Sequence, residues 1–122
     1  MQPAERQHRA LNVWRTASVA SVRRDGPDLT ARQMALLLTV YLIPPPHTVR
    51  GLAEALRISK PAVTRALDRL SALGYVRRRP DETDKRSVLV QRTVKGSVFL
   101  SDFGELVVEA EQAVGVGAQA AD

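Results

Sequence analysis

The run Leu52-Ala53-Glu54-Ala55-Leu56-Arg57-Ile58-Ser59-Lys60-Pro61-Ala62-Val63-Thr64-Arg65 reads as two short helices and the turn that joins them. Thr48 stands where it can cap the first helix, over residues 49–56, and Leu52, Ala53 and Leu56 form its inward face. Arg57 and Ile58 make the turn. Ser59 caps the second helix, and Pro61 falls in its first turn, where a missing amide donor costs little. Val63, Ala66, Leu67 and Leu70 recur at i, i+3, i+4 and i+7, a stripe that must face a core, and Leu73 extends it. The opposite face carries Lys60, Thr64, Arg65, Asp68 and Arg69. Gly74 supplies a left-handed stop.

Beyond Gly74 the apolar period changes from helix to strand. Tyr75-Val76-Arg77-Arg78-Arg79 predicts one strand and Ser87-Val88-Leu89-Val90-Gln91-Arg92 its return, with residues 80–86 as a charged loop at the tip. Neighbours on a strand point to opposite sides, so at most two of the three arginines share a face, and Asp81 or Glu82 is a candidate partner for one of them. Thr93 caps a last helix over residues 94–113, with Val98, Phe99, Asp102, Leu106 and Val107 on one side. Gly96 and Gly104 weaken that helix and permit close packing, and residues 115–119 read as a frayed tail.

Upstream, residues 4–24 lack Gly and Pro and predict one long helix with Leu11, Trp14, Ala17 and Val22 at near-helical spacing. It ends at the turn Asp25-Gly26-Pro27-Asp28. Thr30 caps the next helix, residues 31–42, which is apolar almost all round and is expected at the centre of the core. Pro44-Pro45-Pro46 stops it. His47, between that proline run and a cap, reads as a loop residue rather than a metal ligand.

Length and composition set the outer limits. The 122 residues are one domain's worth, and 44% hydrophobic with 25% charged residues argues against wholesale disorder. Without cysteine there are no disulfides, thiolate metal sites or thiol redox sensors, and with two histidines no metal is expected. The apolar run 35–43 is too short to cross a bilayer, and residues 1–6 lead into no apolar segment of a secretory signal, so the cytoplasm is the expected compartment and no membrane the expected partner. The net charge of +5 is uneven: residues 57–92 hold ten basic and four acidic residues, whereas residues 93–122 hold one lysine and five acids. A basic middle favours an anionic partner, although a solvated face would carry the same charges. No nucleophile elbow, phosphate loop or metal-ligand spacing appears, so neither an enzyme nor a cofactor is expected.

Two short helices in tandem followed by a charged hairpin form a winged helix-turn-helix. The fold class is therefore mainly α with a small β-hairpin (α+β). A helix fits the major groove of duplex DNA, and the N-terminal half of the second helix reaches base edges. Ser59, Lys60, Pro61, Thr64 and Arg65 are the candidates there, with Arg69 one turn further along and better placed for a phosphate. In the wing, Arg77, Arg79, Lys85 and Arg86 are the candidates for backbone and minor groove. A helix cannot enter the deep A-form groove, which disfavours structured RNA.

Residues 52–65 resemble the helix-turn-helix of the multiple-antibiotic-resistance-regulator (MarR) family. So do Ala66-Leu67-Asp68-Arg69-Leu70 and Leu73-Gly74-Tyr75-Val76. The wing Asp81-Glu82-Thr83-Asp84-Lys85-Arg86, with Val88-Leu89-Val90 and Thr93-Val94-Lys95-Gly96 behind it, is similar to that family's aspartate/arginine signature. The resemblance spans residues 29–106. It implies a homodimeric transcription regulator, most often a repressor, that binds palindromic double-stranded DNA. It makes Ser59, Lys60, Thr64 and Arg65 recognition residues, and Asp84 the residue that positions the basic side chains Lys85 and Arg86. By the same resemblance residues 1–28 and 94–122 flank the DNA-binding lobe, 29–93, as dimerisation helices of a single domain. Family members carry a further helix after the one read here at 94–113, where only nine residues follow. Any effector would be a small molecule in a cleft between those helices and the lobe. Trp14 and Tyr41 are candidates to line it, with helix packing as their alternative role. The rival function is a winged-helix protein-interaction module without specific DNA binding.

Overall fold

The computed structural model describes the backbone of residues 2–121 and the side chains of residues 2–115. The elements run α1 (Pro3–Arg23), α2 (Ala31–Leu42), α3 (Val49–Leu56), α4 (Lys60–Ala72), β1 (Val76–Asp81), β2 (Asp84–Arg92) and α5 (Val94–Ala121). They fall into two compact units: residues 29–100, and the residues up to Asp28 together with those from Ser101 onward.

In the unit of residues 29–100 each helix begins where a side chain answers an orphan amide. Thr30 and Gln33 form a reciprocal capping box, and Thr48 and Ser59 accept from the amides of Gly51 and Ala62. The stripe Val63, Ala66, Leu67, Leu70 is buried as its spacing predicts. It packs in one core with Leu36, Leu37 and Val40 of α2, Leu52 and Ala53 of α3, and Tyr75, Val76 and Val90 at the base of the hairpin. α2 lies at the centre of the core, as expected, but with one side only. α2 is not buried all round: Leu42 is 72% exposed, and Ile43 just beyond it 54%, because only the side with Leu36, Leu37 and Val40 meets α3 and α4. His47 lies outside any helix or strand, as expected of a loop residue, and it is buried. Its Nε2–H donates to the Ile43 carbonyl at 2.9 Å, and its own carbonyl accepts from the Val90 amide, which fastens the proline corner to β2.

The hairpin is longer and its turn tighter than expected. β1 and β2 pair antiparallel from Val76↔Arg92 to Asp81↔Asp84, leaving Glu82 and Thr83 at the turn. Pro80 is tolerated because β1 is an edge strand and the register shifts beside it. The Asp81 carboxylate accepts from both the Thr83 amide (2.9 Å) and the Thr83 hydroxyl (2.7 Å), and this side-chain turn replaces the loop expected at 80–86.

A knot of hydrogen bonds joins α2 to the start of α5. The Tyr41 hydroxyl accepts from the Thr93 amide and lies 2.7 Å from the Tyr75 carbonyl, to which it donates. Thr93 Oγ1 donates to the Gly74 carbonyl and accepts from the Gly96 amide, the cap expected of it. Gly96 is required here: a Cβ at that position would overlap the Tyr41 hydroxyl and the Tyr75 carbonyl. Arg92 completes the corner by donating to the carbonyls of Val40 and Ile43, a cation at the C-terminal end of α2.

In the other unit α1 begins with Pro3 at its N-terminus and ends at Arg23, before Gly26 takes a φ of 150°. Ala17 is buried, yet Leu11, Trp14 and Val22 are 68%, 71% and 69% exposed. α5 runs on to Ala121, so the helix expected to stop at 113 extends through the stretch read as a frayed tail. Once a helix is nucleated each further residue adds a hydrogen bond, and this outweighs two isolated glycines among alanine and valine. Ala110 is buried, and Asp102, Glu105, Glu109 and Glu111 are exposed.

Candidate nucleic-acid interface

The turn between α3 and α4 is made by Arg57, whose φ of 55° lies in the left-handed region, and its amide closes α3 by donating back to Ala53 and Glu54. This sets α4 across α3 with its apolar stripe inward. Lys60, Pro61, Thr64, Arg65, Asp68 and Arg69 are all exposed on the other side. The Ser59 hydroxyl accepts the cap hydrogen bond and keeps its own proton free to donate, so capping and a contact with a partner are compatible.

The wing stands beside α4. A cleft of about 490 Å³ opens between them, lined by Lys60 and Thr64 of α4, Arg78, Asp84 and Arg86 of the wing, and Thr48 and Arg50 at the start of α3. Of its four cations Arg78 is paired with Asp68, and Lys60, Arg50 and Arg86 around the Asp84 carboxylate leave the cleft a positive potential suited to an anionic backbone. Asp84 Oδ1 accepts from the Arg86 amide at 3.0 Å, which holds the backbone that carries the Arg86 side chain. Lys85 is exposed on the same strand.

The three consecutive arginines separate as strand alternation requires. Arg77 and Arg79 are exposed and lie opposite Gln91 and Leu89, on one face of the ribbon. Arg78 is on the other face with the buried Val76, turned toward α4. Its partner is neither Asp81 nor Glu82 but Asp68 of α4, with Nη1 at 2.8 Å from Oδ1. Asp81 is engaged with Thr83 instead. The hydrogen bond from the Thr83 hydroxyl, then that from its amide, hold the Asp81 carboxyl below its ordinary range.

Arg78 and Arg50 were absent from the residues expected at this site. Alternation alone already puts Arg78 on the face of Val76, and Val76 is apolar enough to be core, so the signal was present. Arg50 carried none, because its approach to the wing depends on how α3 packs against β2. The two aromatic candidates for an effector site fall in different compact units. Tyr41 is half-buried with its hydroxyl engaged in the Thr93 knot, and Trp14 is exposed on α1. No described helix is long and apolar enough to cross a membrane.

Comparison with known proteins agrees with this geometry. The model of the MarR family matches residues 28–87. The structure of a cysteine-to-serine mutant of MarR from E. coli, complexed with operator DNA, is 29% identical and superposes with a TM-score of 0.65, covering 89% of this chain and 73% of that one. A MarR transcriptional regulator from Methanosarcina mazei is 28% identical with a TM-score of 0.61, over 72% of this chain and 63% of that one. A glycine-to-lysine mutant of MepR from S. aureus shares the fold at 20% identity, with a TM-score of 0.75 over 96% of this chain and 83% of that one. With its two-helix motif, its paired wing and a family match that spans that motif, β1 and the first residues of β2, this chain carries the winged-helix fold of the MarR family of transcription regulators.

Proposed function

We propose that the chain is a sequence-specific, non-enzymatic regulator of transcription that binds double-stranded DNA as a homodimer, most plainly as a repressor acting in the cytoplasm. The observation that carries this reading is the exposed face of α4 from Lys60 to Arg69, joined by a positive cleft to the wing cation Arg86. In this reading α4 enters a major groove. Arg65 pairs with a guanine edge, and Ser59, Lys60, Pro61 and Thr64 make the surrounding base and phosphate contacts. Arg69 meets a phosphate. The wing, with Lys85 and Arg86 at its tip and Arg77 and Arg79 on its outer face, follows the flanking minor groove.

A second copy is the natural cover for the apolar face of α1, on which Leu11, Trp14 and Val22 are largely exposed. The basic residues Arg6, Arg9 and Arg15 of α1 and the acids Asp102, Glu105, Glu109 and Glu111 of α5 are charged for each other across such an interface. Two subunits related by a two-fold axis read a palindrome whose half-sites are one helical turn, about 10 bp, apart. A small-molecule effector that releases the DNA fits the same scheme.

Selection of bound duplexes from a random pool at about 150 mM salt, with a mass measurement on the complex, tests this reading. Enrichment of a palindrome held by two subunits is the expected result. Weak, salt-sensitive binding to every duplex, with nothing enriched, would overturn it in favour of a protein-interaction module.

A further inference from the structure

Asp68 is the one carboxylate on the exposed face of α4, three residues beyond Arg65 and next to Arg69. A free carboxylate there would face the phosphates that its neighbours are placed to meet, and like charges repel. The structure instead pairs it with Arg78 at 2.8 Å. The two residues belong to different reading elements: Asp68 to the helix, Arg78 to the first strand of the wing. Their side chains are 61% and 31% exposed, and an ion pair so open to water adds little to folding stability. Its consequences are therefore for charge and geometry rather than for the core.

Resting on the DNA-binding reading above, we propose that Asp68 and Arg78 are a positioning pair that fixes the wing against the recognition helix. The pair masks the Asp68 carboxylate and withholds Arg78 from the phosphates. Two grooves are then read at one fixed separation, and a cation that would otherwise bind any duplex is kept out of non-specific contact. Arg78 is thus a positioning residue, unlike Arg86, which stays exposed beyond it.

The test uses the full chain and measures affinity against salt, on a random-sequence duplex and on the sequence the wild type selects. The variants are Asp68→Asn, Asp68→Glu and Arg78→Gln, each checked for an unchanged thermal melt. Asp68→Asn releases Arg78. Non-specific binding should tighten, and the slope of log affinity against log salt should steepen by about 0.9 per protomer, an extra three- to fourfold loss between 50 and 200 mM. The preference for the selected sequence should fall about tenfold, the size of one base contact. Asp68→Glu, which keeps the charge, should restore the wild-type slope. Arg78→Gln should weaken both duplexes through the exposed carboxylate, most at low salt where the repulsion is least screened, and the double variant Asp68→Asn/Arg78→Gln should return to the wild-type slope. The proposal is overturned if Arg78→Gln makes the slope shallower by about 0.9 per protomer while Asp68→Asn leaves it at the wild-type value, since Arg78 would then be an ordinary phosphate contact. If the wild type enriches no sequence, the DNA-reading function fails on its own account, and the slopes on the random duplex still decide the role of the pair.

Discussion

Arg65 and Arg69 stand one turn apart on the same exposed face of α4, and in the proposed reading their distances from its N-terminus give them different work. Arg65 lies in the N-terminal half, which that reading places at base edges. Arg65→Ala should cost about 1–3 kcal/mol per half-site and relax preference at a single position when binding is measured across duplexes with one base changed. Equal weakening on every duplex would make it a phosphate contact. Arg69→Ala should do what that outcome describes: weaken all sequences alike and lower the salt slope by about 0.9 per protomer. Arg57 gives a residue-scale test of folding alone. It holds a left-handed conformation that costs an ordinary side chain about 1–2 kcal/mol, partly offset by the greater unfolded freedom of glycine. Arg57→Gly should therefore raise stability by roughly 0.5–1 kcal/mol in denaturant unfolding, and a loss would mean that the side chain makes a compensating contact.

The elements whose beginnings and ends depend on local chemistry were legible in the sequence. Thr30, Thr48, Ser59 and Thr93 each cap a helix, and Gly74 takes a φ of 80°. Contacts made over long sequence separations were not. The Tyr41 hydroxyl meets Thr93 across 52 residues, and Arg92 reaches Val40 across the same span. No local pattern in either segment announces its partner. The wing tip misled for a different reason: Pro80, Asp81, Glu82, Thr83 and Asp84 are typical loop residues, and only the Asp81–Thr83 hydrogen bonds show that they close a tight turn. That turn carries a pH dependence. The Asp81 carboxyl titrates below its ordinary value in the folded wing, so its contribution is present above the unfolded value and is lost as pH falls through the folded one. Hydrogen exchange at the Thr83 amide should accelerate, relative to the intrinsic rate, only on that acid side, and Asp81→Asn should remove the dependence. The knot at the start of α5 is the other element-scale test. Gly96→Ala forces a Cβ onto the Tyr41 hydroxyl and the Tyr75 carbonyl and should destabilise by about 1–3 kcal/mol. Tyr41→Phe, which leaves the Thr93 amide without its acceptor, should cost about as much. Gly104, with open space around it, should accept alanine with no loss.

For the molecule as a whole, the sequence showed an apolar stripe on α1 but not that it would lie open in a single chain. Burial of a stripe depends on what covers it, and the covering surface in the proposed assembly is a second copy. Trp14 is the chain's single tryptophan and lies on that stripe, so it reports on the assembly directly. Its emission should shift to the red on dilution as the dimer separates, and Leu11→Asp should give the red-shifted spectrum at every concentration. Emission that does not change with concentration and matches that of Leu11→Asp would leave the face uncovered and the dimer unsupported. Salt dependence belongs to this scale as well. A dimer that neutralises roughly 6–10 phosphates should lose about 10³–10⁵ in affinity between 50 and 200 mM salt.

The central claim is that two copies read one site, each with α4 in a major groove and its wing in the adjacent minor groove. Chemical footprinting of the selected duplex tests it most directly, with methylation protection for the major groove and hydroxyl-radical protection for the minor groove. The account predicts two blocks of major-groove protection about 10 bp apart, each flanked on its outer side by minor-groove protection that disappears in an Arg86→Ala variant. A single protected block, or backbone protection spread evenly with no guanine shielded, would contradict it.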